Sequence, residues 1–245
     1  MSMEGKVVIV TGGAGGIGLA TAQSFGKRGA RVIVVDYAAT KADAAVQALQ
    51  AAGVRDALAL ACNVGVEAEV VRAVDATIAH FGQLDIVVNN AGTMIFKPIE
   101  AHSEEDLLGI FRVDFFGAFW FIKQAFLKCR PGSAVVNVAS IHAVETTPLV
   151  SAYAAAKVAL VSLTRSAAIE GKPKGIRVNV VLPGAIDTPM LRENPNVKSG
   201  AEVVDPAFVG QPQDVASAIV YLASDQAAFV NGAPLIVDGG RLACL

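Results

Sequence analysis

The stretch VVIVTGGAGGIGLATAQSF, residues 7–25, limits the possible folds more than any other part of the chain. An unbroken β-branched run favours extended backbone, and the small-residue run after the glycines favours helix. The glycines between them permit positive φ. They also let a bound group approach the backbone at the helix N-terminus, where an anion is favoured. The cluster fits two registers: Gly13, Gly15 and Gly18 satisfy GxGxxG, and Gly12, Gly16 and Gly18 satisfy GxxxGxG. Either pattern alone is also met by a loop that merely turns. A position between a strand and a helix is the context that phosphate binding requires.

Similar strand-like runs recur at residues 6–11, 31–35, 57–61, 84–88, 134–139, 177–182 and 234–237. Ala-rich or amphipathic segments between them are long enough for crossover helices. Nearly continuous apolar strands alternating with helices predict a parallel sheet covered on both faces. Right-handed crossovers then give an α/β fold, a Rossmann-like doubly wound sheet of about seven strands. With neither linker nor repeat, residues 1–245 read as one domain. Residues 190–211 are rich in Pro, Asn, Gly and charge and follow a strand end, which predicts a flap over a ligand.

Hydrophobic residues at 53% and charged residues at 17% exclude a disordered chain. A net charge of −2 without a basic run argues against a nucleic-acid partner. No apolar stretch has membrane-spanning length, and the N-terminus lacks the layout of a signal peptide. Cys62, Cys129 and Cys244 are scattered, which predicts a reducing, cytoplasmic home. His80, His102 and His142 lie far apart with no carboxylate cluster, so no metal site is expected. Residues 103–126 read as one long helix with Ser103 as N-cap. From 113 to 126 it is apolar almost all round, which predicts burial on every side and a homo-oligomer.

Asp36 closes the second strand, 18 residues after Gly18. A carboxylate there accepts hydrogen bonds from an adenosine ribose and repels a 2′-phosphate. The glycine loop has no Arg or Lys and Tyr37 follows Asp36, so NAD(H) is expected rather than NADP(H). A surface aspartate at a strand end is the plainer alternative. In SAYAAAK, residues 151–157, Tyr153 and Lys157 are four apart and share a helix face. An ammonium beside a phenol lowers the phenol pKa and makes it usable as a general acid or base. An exposed helix turn gives the same spacing. Ser140 ends a strand, where a hydroxyl can donate to an oxygen gaining charge or simply cap the next turn.

In chain order the sequence carries TGGAGGIG at 11–18, NNAG at 89–92, Ser140, YAAAK at 153–157, PGAIDTP at 183–189 and VDGG at 237–240. Together these resemble the short-chain dehydrogenase/reductase family over essentially the whole chain. The resemblance implies that Tyr153 moves the proton of a substrate hydroxyl and that Ser140 hydrogen-bonds the substrate oxygen. It implies that Lys157 lowers the tyrosine pKa and holds the nicotinamide ribose. Gly12, Gly16, Ile17, Gly18, Asn90, Ala91, Gly92, Ile186 and Thr188 would contact the cofactor, and a homotetramer is favoured over a dimer. Two positions depart from the family pattern. Asn63–Val64 replaces an Asp-Val pair that holds adenine, and an amide oxygen can still accept there. Asp114 replaces an Asn that completes a tetrad with Ser, Tyr and Lys. Asp can accept but cannot donate when ionised, so an altered pH profile is expected.

By position, the substrate walls come from residues 93–96, 141–143, Val150, Ala185 and 190–191, plus the flap. Met94, Ala185 and Met190 are predicted substrate contacts, with His142 the main polar candidate and Lys97 the only cation. This predicts a mainly apolar secondary alcohol or ketone as the small-molecule substrate, rather than a phosphorylated or strongly acidic one. A 3-oxoacyl thioester reductase is a second reading, against which Asp36 argues because such reductases in the family usually use NADPH. A non-catalytic NAD-binding assembly protein is a third, favoured only by Asp114.

Overall fold

The structure, a computed structural model, describes residues 2–200 and 202–244. Ala201 of the predicted flap lies outside the described residues. Seven strands form the core: β1 (Val7–Thr11), β2 (Arg31–Asp36), β3 (Ala57–Ala61), β4 (Ile86–Asn89), β5 (Ala134–Val138), β6 (Arg177–Pro183) and β7 (Pro234–Val237). All pair in parallel, in the order β3-β2-β1-β4-β5-β6-β7. The fourth strand starts two residues later than the apolar run suggests. Asp85 Oδ2 accepts the Val7 N–H at 2.8 Å, so a side chain takes a ladder position and regular pairing begins at Ile86.

The helices are α1 (Gly16–Gly26), α2 (Ala39–Ala51), α3 (Glu67–Phe81), α4 (Glu104–Phe111), α5 (Gly117–Lys128), α6 (Ser151–Gly171), α7 (Pro189–Arg192), α8 (Pro195–Ser199) and α9 (Pro212–Ala223). Side chains alternate across each strand. Val8, Val10, Val32 and Val34 pack with Phe25, Leu49 and Ile219 of α1, α2 and α9. Val7, Ile9, Ile33 and Val35 face the other way, toward Val74, Phe121 and Ala168 of α3, α5 and α6. Phe25 and Phe121 are wholly buried; each such side chain contributes roughly 1.5–3 kcal/mol by leaving water. None of the helices is long and apolar enough to cross a membrane among the described residues.

The helix expected over 103–126 is interrupted. Ser103 and Asp106 form a reciprocal capping box, with Asp106 N donating to Ser103 Oγ at 3.2 Å and Ser103 N donating to Asp106 Oδ2 at 3.0 Å. Between α4 and α5, residues Arg112–Phe116 form a π turn. Such a turn adds a residue to the helix and re-aims its side chains. Burial on every side is not met within one chain. Trp120 and Phe126 pack on the core, but Phe119 is 40% exposed because α5 presents it away from the sheet.

The sheet order reverses between β1 and β4, leaving a crevice beyond their C-terminal ends. A buried polar chain fixes what overhangs it. Asn89 Nδ2 donates to Asn137 Oδ1, Asn137 Nδ2 donates to Thr164 Oγ1, and Thr164 Oγ1 donates to the Leu160 carbonyl, each at 2.8 Å. These bonds tie β4 and β5 to α6, so α6 cannot slide without leaving a buried polar group unpaired.

Candidate active site

A cleft of about 570 Å³ occupies the crevice. Gly12, Gly16, Ile17, Asp36 and Asn90 line one end; Ser140, Tyr153, Lys157, Ala185 and Met190 line the other. At the first end, α1 has Gly15 as its N-cap, with no side-chain cap and no acidic residue in its first turn. Its leading N–H groups therefore face the cleft without a protein carboxylate. Gly12 and Gly16 have φ of +59° and +50°, and a Cβ on Gly18 would lie 2.1 Å from the Gly12 carbonyl oxygen. Backbone thus packs on backbone around an uncapped helix N-terminus. This cradle fits the pyrophosphate of a dinucleotide.

Thr11, which the sequence analysis did not single out, pins this loop to β4. Its Oγ1 accepts from Asn90 N at 2.9 Å and Ala91 N at 3.0 Å. Asn90 Nδ2 in turn donates to the carbonyls of Thr11 and Gly12, at 3.0 and 3.1 Å. A hydroxyl at the last position of the strand before the glycines was the available signal. Asp36 and Lys41 both line the cleft, and Tyr37 points to solvent. Asn63 and Val64 do not line the cleft. Asn63 Oδ1 accepts from Gly65 N at 3.0 Å, and Val64 is buried against Gly117.

At the other end the first turns of α6 bury Tyr153 and Lys157 together. Lys157 Nζ lies 5.3 Å from the centre of the Tyr153 ring. It donates to the Val138 carbonyl at 3.0 Å and forms an ion pair with Asp114 Oδ1 at 3.0 Å. The π turn carries Asp114 inward, where its Oδ2 accepts from Thr93 N at 2.9 Å. A Cβ on Gly92 would come within 3.0 Å of Asp114 Oδ1, so glycine there leaves the ion pair room. Ser140 Oγ accepts from His142 N at 3.2 Å. The His142 ring meets the Tyr153 ring edge-on at 5.9 Å.

Charge and burial compete at these groups. Burial pushes the Asp114 carboxyl above its ordinary value, opposed by the Lys157 ammonium and the Thr93 N–H. Burial alone would lower Lys157, but Asp114 and Tyr153 outweigh it and hold the ammonium above its usual range. For Tyr153, burial raises the phenol pKa, Lys157 lowers it, Asp114 raises it again and a hydrogen bond with Ser140 lowers it. The net direction is upward. The lowered pKa expected from the four-residue spacing is therefore corrected: the spacing places the ammonium well, but desolvation outweighs it and Asp114 neutralises part of its field.

Asp114 raises the Tyr153 pKa, so Asp114→Asn lowers it. Oxidation of an alcohol needs the phenolate as base, so its rate should begin to rise at lower pH in the variant. A pH–rate profile in the oxidative direction checks this; an unmoved or upward-shifted limb contradicts it.

The predicted walls separate into two sets. Met94, Ile141, His142, Ala185, Met190 and Leu191 line the cleft. Ile95 instead packs on Ile110, Ala152 and Ala156, Val150 is buried at the start of α6, and Lys97 pairs with Asp106 at 2.6 Å. Ile186 and Thr188 also line the cleft, and Thr188 caps α7. The flap is anchored where it returns: Gly210 N donates to the Ala185 carbonyl and Asp187 N to the Gly210 carbonyl, both at 2.9 Å. It brings Asn194 and Glu202 into the cleft, and the C-terminal segment adds Arg241. Sequence reasoning placed Asn194 and Glu202 in the flap without singling them out and missed Arg241, because nothing local to these residues announces a site.

The switch-point crevice, the open glycine loop and the buried Tyr153–Lys157 pair share one cleft, the layout of a dinucleotide-dependent oxidoreductase. Residues 12–241 match the family model described as Enoyl-(Acyl carrier protein) reductase. The chain is 40% identical to cis-4-hydroxycyclohexanecarboxylate dehydrogenase of Sinomonas cyclohexanicum, over 97% of each chain. It is 37% identical to 3beta-hydroxysteroid dehydrogenase 1 of Eggerthella lenta, over 97% of this chain and 94% of that one. Its structure is similar to that of levodione reductase, with a TM-score of 0.92 and 32% identity over 99% of each chain. The chain belongs to the short-chain dehydrogenase/reductase family, whose members use a nicotinamide cofactor.

Proposed function

We propose that this protein interconverts a ring-borne secondary alcohol and its ketone with NAD(H). The convergence of Ser140, Tyr153 and Lys157 on the cleft that begins at the glycine loop carries this reading. The relatives named for a hydroxysteroid and a hydroxycyclohexanecarboxylate support the substrate class. Gly12, Gly16, Ile17 and Gly18 hold the pyrophosphate, and Asp36 takes the adenosine ribose. Asn90, Ala91 and Gly92 stand along the dinucleotide, and Ile186 and Thr188 at the carboxamide. The bound nicotinamide supplies or takes up the hydride.

Tyr153 Oη donates its proton to the ketone oxygen in reduction and takes it back in oxidation. Ser140 Oγ donates a hydrogen bond to the same oxygen as charge develops there. Lys157, held by Asp114 and the Val138 carbonyl, keeps a positive charge beside the phenol. Asp114 thus supports the catalytic group as an ion-pair partner, which argues against a non-catalytic role. We extend the reading to a cytoplasmic homo-oligomer, with a tetramer favoured. The apolar exposure of Phe119, Leu127 and Leu108 along α4 and α5 supports self-association.

The test follows nicotinamide absorbance with NAD⁺ and NADP⁺ across cyclic alcohols, polyols, hydroxysteroids and 3-hydroxyacyl esters. Turnover is expected with NAD⁺ and cyclic alcohols; a best substrate among the acyl esters would overturn the assignment. Asp36→Ser should raise the NADP⁺-to-NAD⁺ ratio of kcat/KM by about tenfold or more, because a like charge facing the 2′-phosphate is removed. Lys41 also lines the cleft and offers a cation for the 2′-phosphate. An unchanged ratio would remove Asp36 from cofactor selection.

A further inference from the structure

Arg241 begins the short C-terminal turn Arg241–Cys244, just past the VDGG segment. Its guanidinium lines the cleft and is 20% exposed. Glu202, 10% exposed, reaches it from the flap, with Arg241 Nη2 donating to Glu202 Oε1 at 3.2 Å. Glu202 Oε2 also accepts from Asn194 Nδ2 at 3.4 Å. Both charges act on His142, whose ring touches that of Tyr153, so the pair belongs to the substrate end of the cleft.

Among the described residues, only this pair and Lys157–Asp114 keep both side chains at or below 20% exposure. A buried ion pair contributes little net stability, and this one lies on the cleft wall, where its charges can meet a ligand. The pairing is also incomplete. Arg presents a planar fork suited to two parallel bonds with a carboxylate. Glu202 uses only one arm, and the fork's other donors have no partner among the described residues. Nearby, His142 Nδ1 is buried and likewise without a partner. The cleft wall beside these groups is apolar, from Met94, Ile141, Met190 and Leu191.

We infer that the substrate carries a carboxylate at the end remote from its reacting hydroxyl, and that the Arg241 fork binds it in place of Glu202. Glu202 occupies the position in the resting protein and gives way as the acid enters. This deepens the proposed ring alcohol dehydrogenase, on which it rests: the ring lies on the apolar wall, and the acid group sits opposite Tyr153.

The NADH-loaded protein is titrated calorimetrically with cyclohexanecarboxylate and with its uncharged analogue cyclohexanecarboxamide. The carboxylate should bind about tenfold tighter or more, the range of a hydrogen bond to a charged group. Arg241→Met should abolish that preference, and Arg241→Lys should keep part of it. Glu202→Gln should tighten carboxylate binding, because a competitor is weakened; a merely structural bridge would not respond in that direction. Equal binding of the two ligands, or a preference that survives Arg241→Met, overturns the inference. Thermal melting of each variant separates recognition from misfolding. Turnover of 4-oxocyclohexanecarboxylate and cyclohexanone separates the two readings. Loss of all ketone turnover with the carboxylate preference intact would sink the dehydrogenase assignment and leave the anion site standing.

Discussion

Tyr153→Phe should fold, bind the dinucleotide and lose about 10²–10⁴-fold in turnover, the contribution typical of a positioned general acid or base. The ring is buried between the His142 ring and the Lys157 ammonium, and Phe preserves that packing. Only the hydroxyl goes. The variant loses the hydrogen bond with Ser140, but Ser140 keeps its bond from His142 N and so its place. Because the Tyr153 pKa is raised, the phenol is protonated at neutral pH and ready to donate to a ketone. Reduction should therefore need no base to activate the tyrosine, whereas oxidation should accelerate with rising pH. Stopped-flow absorbance for turnover and fluorescence titration with NADH for binding check the variant together. Turnover within a few-fold of the parent would assign the proton transfer to another group.

Lys157→Met should cost both activity and stability. It leaves the Asp114 carboxyl buried without its cation, and breaking a buried pair by removing one partner typically costs about 3–5 kcal/mol. The deficit has a pH sign. Without the ammonium, burial pushes the folded-state carboxyl further above its unfolded value. The penalty is then small in acid, where the group is protonated in both states. It grows as pH rises past the ordinary carboxylate pKa. The double variant Lys157→Met, Asp114→Asn should recover most of the stability while remaining inactive, since the charge beside Tyr153 is still missing. Urea unfolding at two pH values with parallel turnover measurements tests this. A double variant no more stable than the single one would show that the pair is not energetically coupled.

These two results bear on different kinds of information in the chain. The glycine loop, the strand alternation, the Ser103 cap and the Tyr153–Lys157 spacing are local patterns, legible because φ preference, period two and period 3.6 act over a few residues. They led to the doubly wound sheet and to the crevice beyond β1 and β4, which the structure bears out. Local pattern failed where a different element supplied the environment. The π turn that delivers Asp114 reads as ordinary helix. Asn63 looked like an adenine contact, but its side-chain oxygen bonds its own turn.

The sequence by itself determined the order of strands and helices, the open helix N-terminus and the face shared by Tyr153 and Lys157. Backbone preference and side-chain period are properties of neighbouring residues. Tertiary structure alone decided the direction of the tyrosine pKa, because desolvation depends on how the π turn and the His142 segment pack against α6. It alone brought Arg241 to Glu202, since charges on two segments 39 residues apart meet only when the chain path folds those segments against each other.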